Sequence, residues 1–210
     1  MVSIENNDEI NYYLNEIFNS KWSRNYLREQ KKTKSYQRLI CNQKENSTKP
    51  IEKTLKDPIR LADKEVKTEK ELENAILDNL DEFMLELGNN YCYKGRQQKM
   101  FINNSIYRVD LVFYNLKLKC YVLVDLKIGK IKRSDISQMD MYINYYNKNE
   151  KAKSDNKTIG IILTSSKNLD INEYINSDEN IYQVKYVTKM PGVDELMSII
   201  KTNRIFLLNR

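Results

Sequence analysis

The fold is decided by residues 109–129, VDLVFYNLKLKCYVLVDLKIG, which hold two β-rich segments separated by a polar turn. Each segment carries one Asp among apolar residues, Asp110 in the first and Asp125 in the second. Side chains alternate along a strand, so Asp125 and Lys127 share one face. If residues 114–119 close a hairpin, Asp110 lies opposite or diagonal to Asp125, with Cβ atoms roughly 4.5 to 8 Å apart. Two carboxylates at that spacing can grip one hard cation.

The segments around this hairpin predict a mixed sheet. Residues 91–102 are also β-rich, residues 133–148 have apolar side chains at helical spacing, and residues 158–164 form a short apolar run. A strand, a crossover helix and a buried strand in this order imply a parallel pairing. A short helix near 170–176, a strand at 181–187 and a helix at 193–201 complete the prediction. The expected class is α/β, with a central mixed β-sheet flanked by helices.

A helix is predicted before the first strand, over residues 68–88. Thr68 followed by Glu71 is the pattern of a capping box, and Gly88 marks the end. Glu73 is the only charged member of an otherwise apolar stripe, whose other members are Leu77, Leu80, Met84 and Leu87. The helix therefore turns one acid inward, toward the two acids of the hairpin.

The chain divides into three parts by composition. Residues 1–41 are helical in pattern and basic, whereas residues 42–67 are charged, contain two prolines and predict a linker. Residues 68–210 form the main domain. A homo-oligomer formed through the N-terminal helices is a further possibility that the pattern leaves open.

Composition narrows the functions that the chain can have. The sequence has no His, which excludes Ser-His-Asp hydrolases, His-dependent nucleases and HExxH zinc enzymes. Lys and Arg outnumber Asp and Glu by 35 to 29, and the net charge of +6 favours a polyanionic partner such as nucleic acid. The three Cys form no CxxC pair, and no apolar run is long enough to span a membrane. These features predict a cytoplasmic protein without a membrane partner.

The acids and one lysine form a candidate catalytic constellation. Mg²⁺ prefers oxygen ligands from a few carboxylates, with water and phosphate completing its shell, which Glu73, Asp110 and Asp125 could supply. Lys127 would orient the attacking water or offset charge that grows on a phosphate. The alternative is a partly buried salt-bridge cluster without a catalytic role. Four residues apart on the crossover helix, Gln138 and Tyr142 face the same way and could touch metal-bound water or phosphate.

The order of these motifs resembles the PD-(D/E)XK nuclease superfamily. The resemblance is closest to the C-terminal domain of YhcG-like bacterial nucleases, through the runs LELG, YKGRQ, residues 109–129 and QMDMY, over roughly residues 68–190. It implies a restriction-endonuclease-like core that cuts nucleic acid with Mg²⁺ or Mn²⁺. DNA is expected more than RNA as the substrate, and the sequence leaves the choice open.

The resemblance also assigns roles to residues of this chain. Glu73 is the helix acid, Asp110 and Asp125 are the hairpin ligands, Lys127 is the catalytic lysine, and Gln138 with Tyr142 is the QxxxY pair. Relatives of this type usually carry Glu where this chain has Asp125. They also have a full helical domain like a DNA-binding domain at the N-terminus, so the resemblance implies that residues 1–41 are a truncated form of it. The expected nucleic-acid contacts are the basic and polar residues beside these motifs: Arg96, Gln97, Lys130, Lys132 and Arg133.

Two other functions remain open from the sequence. The chain could be a catalytically inactive nucleic-acid-binding module that keeps the nuclease fold and a basic surface. It could also be an interaction protein in which the acids are structural. The primary hypothesis is a divalent-metal-dependent endodeoxyribonuclease.

Overall fold

The sheet and its helices are seen in a computed structural model that describes residues 7–42, 51, 55–61, 66–88, 90–166 and 180–188. The helices are α1 (Asn7–Ser20), α2 (Arg24–Lys32), α3 (Ser35–Asn42), α4 (Glu69–Asp78), α5 (Leu80–Leu87) and α6 (Arg133–Asn149). The strands are β1 (Ile59–Arg60), β2 (Tyr91–Ile102), β3 (Ser105–Asn115), β4 (Cys120–Lys127), β5 (Ile159–Thr164) and β6 (Ile181–Val187).

The six strands form one mixed sheet in the order β1-β6-β5-β4-β3-β2. Strands β2, β3 and β4 pair antiparallel, whereas β4, β5, β6 and β1 pair parallel. Helix α6 makes the crossover from β4 to β5, as the sequence predicts. The expected mixed sheet flanked by helices is therefore confirmed. The helices predicted near 170–176 and 193–201 lie outside the described residues.

Helices cover both faces of the sheet. On β3, the ring of Phe113 contacts the rings of Phe83 in α5 and Tyr93 in β2. Its neighbour Val112 points to the other face of the sheet and packs in a cluster with Met139 and Tyr142 of α6. A Cβ at Gly160 of β5 would lie 2.5 Å from Met139, so glycine is what allows α6 this close to the sheet.

The region predicted as one helix over residues 68–88 is two helices. Its start is as expected, since Thr68 and Glu71 form a capping box, and Gly88 ends it with a φ of 115°. The prediction of continuity was wrong because Asn79 interrupts the helix: its side-chain Nδ2 donates to Ala75 O, and its backbone leaves helical geometry. Asn favours such local side-chain bonds over a helix interior.

The chain divides into two compact units, with the boundary between Asp57 and Pro58. Helices α1 to α3 belong to the first unit, where the guanidinium of Arg38 is fully buried and donates to Thr33 O. The segment predicted as a linker, 42–67, contains β1, which pairs with β6 in the second unit. Ile59 is completely buried there, so its apolar side chain is what draws this stretch into the sheet.

Candidate active site

Asp110 and Asp125 lie side by side on the central hairpin. Leu111 pairs with Val124 at the end of the β3–β4 ladder, and the two Asp are the next positions along each strand. The carboxylate of Asp110 is held from both sides: Leu126 N donates to Oδ2 at 2.8 Å, and Gln97 Nε2 donates to Oδ1 at 2.9 Å. The side chain of Asp110 is therefore fixed against the strand that carries Asp125.

Lys127 pairs with Asp125 on the same face of β4. Its Nζ lies 2.6 Å from Oδ2 of Asp125, which is only 3% exposed. Burial raises the pKa of Asp125 to about 6, and the charge of Asp110 adds to this, although Lys127 opposes it. Burial lowers the pKa of Lys127, but the neighbouring Asp125 carboxylate outweighs it, so the pKa is raised overall. The lysine thus stays a cation beside a carboxylate that is costly to ionise.

Gln138 and Tyr142 meet this pair from α6. Gln138 Nε2 donates to the Tyr142 hydroxyl, and the Tyr142 side chain is 1% exposed. Burial raises the pKa of Tyr142, as do the charges of Asp125 and Asp110. The structure therefore brings the QxxxY residues into electrostatic range of the hairpin acids, with Tyr142 more deeply packed than its expected place beside the apolar stripe.

Glu73 is buried as predicted, but the stripe that predicted it is not the buried face of α4, because Leu72, Ala75 and Ile76 are buried and Leu77 is only half-buried. The direct contact of Glu73 is not with the hairpin acids. Its Oε2 lies 3.5 Å from Lys70 Nζ, while Oε1 is buried without a hydrogen-bond partner. Burial is the main cause that raises the pKa of Tyr93, and the charge of Glu73 adds to it. Across the part of the chain that the structure describes, no three Asp, Glu, Cys or His side chains are grouped closely enough to hold a metal ion. The expected three-acid cluster is thus not closed in this structure.

Two residues of the site have roles that the sequence patterns do not give. Glu69, at the first position of α4, acts electrostatically on Asp125 and Lys127. It lies four residues before Glu73, and this i, i+4 spacing is the signal that could have found it. Gln97, expected to contact nucleic acid, instead donates to Asp110, and its φ of 47° marks an irregular point in β2.

The other expected nucleic-acid contacts are exposed and lie close in sequence to Gln97 and Lys127 of the site. Arg96 precedes Gln97 on β2, while Lys130, Lys132 and Arg133 follow Lys127 in the connection to α6 and its first residue. This connection turns at Gly129, where φ is 85°. Gly129 N donates to Ser165 Oγ at 2.8 Å, and the Thr164 hydroxyl donates to Gly129 O. The end of β5 therefore fixes where the basic connection begins.

The chain is similar in sequence to a known domain family and to a curated relative. The sequence model of the YhcG PDDEXK nuclease domain matches residues 52–199. The chain is 33% identical over 180 residues to the YhcG protein of Escherichia coli (strain K12), covering 80% of this chain and 48% of that protein. The chain thus spans about half the length of this curated relative.

Two solved structures are also similar to the chain. A repair endonuclease from Pyrococcus abyssi has a TM-score of 0.44 and 20% identity, covering 61% of this chain and 50% of its own. The structure of EndoMS in complex with double-stranded DNA has a TM-score of 0.43 and 16% identity, and the match covers 61% of this chain and 48% of that one.

No helix among the described residues is both long and apolar enough to cross a membrane.

We expect Asp125→Asn to remove part of the pH dependence of stability. The pKa of Asp125 rises from 3.8 to about 6 on folding. The folded state therefore binds this proton more tightly than the unfolded state, and stability is lost as pH rises from about 4 through 6. A pKa shift of about two units lowers the free energy of unfolding above pH 6 by roughly 3 kcal/mol relative to its value below pH 4. Urea unfolding in EDTA at pH 4, 5, 6 and 7 measures this loss.

The matched control is Asp140→Asn on α6, which should follow the wild-type pH profile. If Asp125→Asn and the wild type lose the same free energy of unfolding between pH 4 and pH 7, the electrostatic description of Asp125 is wrong.

Proposed function

Because the chain belongs to the YhcG PDDEXK nuclease domain family, we propose that it hydrolyses phosphodiester bonds of DNA with a divalent cation held at Asp110 and Asp125. The observation that carries the proposal is the fixed juxtaposition of these two carboxylates with Lys127. Leu126 N and Gln97 hold one acid in place, while Lys127 holds the other.

The hairpin acids suit Mg²⁺ or Mn²⁺. Both ions take carboxylate oxygens, and the raised pKa of Asp125 means that a nearby positive charge stabilises its ionised form. We propose Glu73 as the third ligand because its buried Oε1 has no hydrogen-bond partner, a costly state for a carboxylate. When bound, the ion activates water and polarises the scissile phosphate.

Lys127 and the α6 pair supply the remaining functions of the site. Lys127 Nζ, a cation beside Asp125, would orient the attacking water or offset negative charge that develops on the phosphate. The amide of Gln138 and the hydroxyl of Tyr142 are hydrogen-bonded to each other. Either group could then bind a phosphate oxygen or a metal-bound water. We propose Asp125, Lys127, Gln138 and Tyr142, from one strand and one helix, as the polar wall of the catalytic pocket.

DNA, cut within the chain, is the proposed substrate because exposed basic residues lie next to the site residues in sequence. Arg96, Lys130, Lys132 and Arg133 are exposed and would contact backbone phosphates on either side of the scissile bond. The net charge of +6 supports the same polyanionic partner.

A cytoplasmic location is proposed because Cys92 and Cys120 are free thiols, which suit a reducing compartment.

An inert nucleic-acid-binding module is the second candidate function. Two observations favour it. The ammonium of Lys127 already forms an ion pair with the carboxylate of Asp125, and the side chain of Asp125 is one methylene shorter than the Glu that is usual at this position. Such a module would bind DNA in a salt-sensitive way without cutting it. Calorimetric titration with Mn²⁺ separates the two, since the inert module has no need to bind the ion at the acid pair.

We expect Asp110→Asn to lower Mg²⁺-dependent cleavage by at least about 10²-fold, the cost of losing one charged group that acts at the reacting phosphate. Plasmid, linear duplex, branched DNA and RNA would each be incubated with Mg²⁺ and with EDTA. Circular dichroism and the thermal midpoint check that the variant is folded. The control Asp140→Asn keeps wild-type cleavage. Equal cutting by Asp110→Asn and the wild type would remove Asp110 from the reaction.

Glu73→Gln should raise the Mn²⁺ concentration needed for half-maximal cleavage by about 10- to 100-fold, as removal of a supporting ligand commonly does. Glu69→Gln is the matched variant, four residues away on the same helix, and should have a smaller effect. The reverse ranking would transfer the role of the helix acid from Glu73 to Glu69.

A further inference from the structure

The outer end of the β2–β3 hairpin is a rigid projection built by local sequence. We call residues 99–108 the hairpin tip. Ile102 pairs with Ser105, and the two residues between them, Asn103 and Asn104, have φ values of 46° and 62°. Two central residues with positive φ define the tight turn that matches strand twist, and Asn tolerates this conformation. The register of the tip is therefore fixed.

One side of the hairpin tip is anchored in the protein core. Met100 is completely buried, and Ile102 and Tyr107 pack against the cluster that contains Met139 and Tyr142 of α6. Because these contacts join the tip to the helix that carries Gln138 and Tyr142, the tip and the candidate active site belong to one packed structure.

The other side of the tip is open and has an unusual composition. Phe101 and Ile106 are directly paired across the strands, yet they are 68% and 52% exposed. The pair nearer the active site is Lys99 with Arg108, and both side chains are exposed. Among the described residues, neither cation has an acidic partner within ion-pair distance. The open side thus presents one apolar pair and one cationic pair.

Both pairs are unfavourable in the isolated protein. Like charges directly opposite on antiparallel strands repel each other, and an exposed apolar pair leaves its area in water. A polyanion relieves the first cost, and a flat apolar surface relieves the second. Nucleic acid with an accessible base face supplies both, through its phosphates and through the base itself.

The two open pairs lie close to the catalytic carboxylate of Asp110 along β3. Arg108 is two residues and Ile106 is four residues from Asp110 on this strand. At roughly 3.4 Å per residue, Arg108 is about 7 Å and Ile106 about 14 Å along the strand from Asp110. A strand that reaches the tip from the active site would therefore span only a few nucleotides.

We propose, building on the nuclease function above, that the hairpin tip binds an unpaired base beside the cleavage site. Phe101, with Ile106 next to it, stacks on the base, while Lys99 and Arg108 bind the adjoining phosphates. In a continuous duplex each base face is covered by its neighbours, so the aromatic ring finds a base only where the stack is interrupted. The preferred substrate class is DNA that contains a junction between duplex and single strand.

The test is fluorescence anisotropy in EDTA, which prevents cleavage, with a forked DNA and a blunt duplex that share the same paired sequence. The wild type should bind the fork at least tenfold more tightly. Phe101→Ala should weaken fork binding about five- to a hundredfold, the range for loss of stacking on one base, and leave duplex binding unchanged. Equal affinity of the wild type for both DNAs, or wild-type fork binding by Phe101→Ala, would overturn the inference.

Leu116→Ala is the matched control, because Leu116 is 57% exposed in the turn between β3 and β4. It should bind both DNAs as the wild type does, and a loss of fork preference equal to that of Phe101→Ala would also overturn the inference. Lys99→Gln and Arg108→Gln should each reduce the salt dependence of binding by about one released ion.

The experiment separates the hairpin tip from the nuclease proposal. Phe101-dependent fork binding by a protein that never cuts DNA supports the tip and refutes the nuclease. Mg²⁺-dependent cleavage of the fork that Phe101→Ala leaves unchanged supports the nuclease and refutes the tip.

Discussion

The repulsion between Asp110 and Asp125 is the constraint on which the site depends. Placing two carboxylates on neighbouring strands, one of them buried, is unfavourable unless each has partners. Leu126 N and Gln97 hold Asp110, whereas Lys127 lies 2.6 Å from Asp125. These partners come from β2 and β4, so the register of the three-stranded antiparallel part must be kept for the acids to coexist. A divalent cation between them would convert the repulsion into binding energy.

Much of this arrangement follows from the sequence, because local alternation determines it. The apolar alternation in residues 109–129 predicts the hairpin and the pairing of its acids, and the structure has both. The 3–4 spacing of residues 133–148 predicts a crossover helix, on which Gln138 and Tyr142 face one way. Strand and helix periods fix which face a side chain occupies, and for these elements that was sufficient.

The remainder depended on side-chain bonds and packing that periodicity does not give. Asn79 lies within a helical pattern of apolar residues, but its side-chain bond to Ala75 O accompanies the break between α4 and α5. Gln97 gave no signal of its bond to Asp110, because that bond needs the register of β2 against β3. Whether Glu73 or Glu69 approaches the hairpin acids depends on how α4 packs on the sheet, which spacing along one helix does not determine.

The most direct test is a crystal structure with Mn²⁺ at neutral pH, with anomalous scattering measured to locate the metal. If the two acids hold the ion, an anomalous peak lies about 2.1 Å from one oxygen of Asp110 and one oxygen of Asp125, in the distance range for carboxylate ligands of such ions. A well-ordered active site in which Lys127 still pairs with Asp125 and no peak lies within bonding distance of both carboxylates would contradict it.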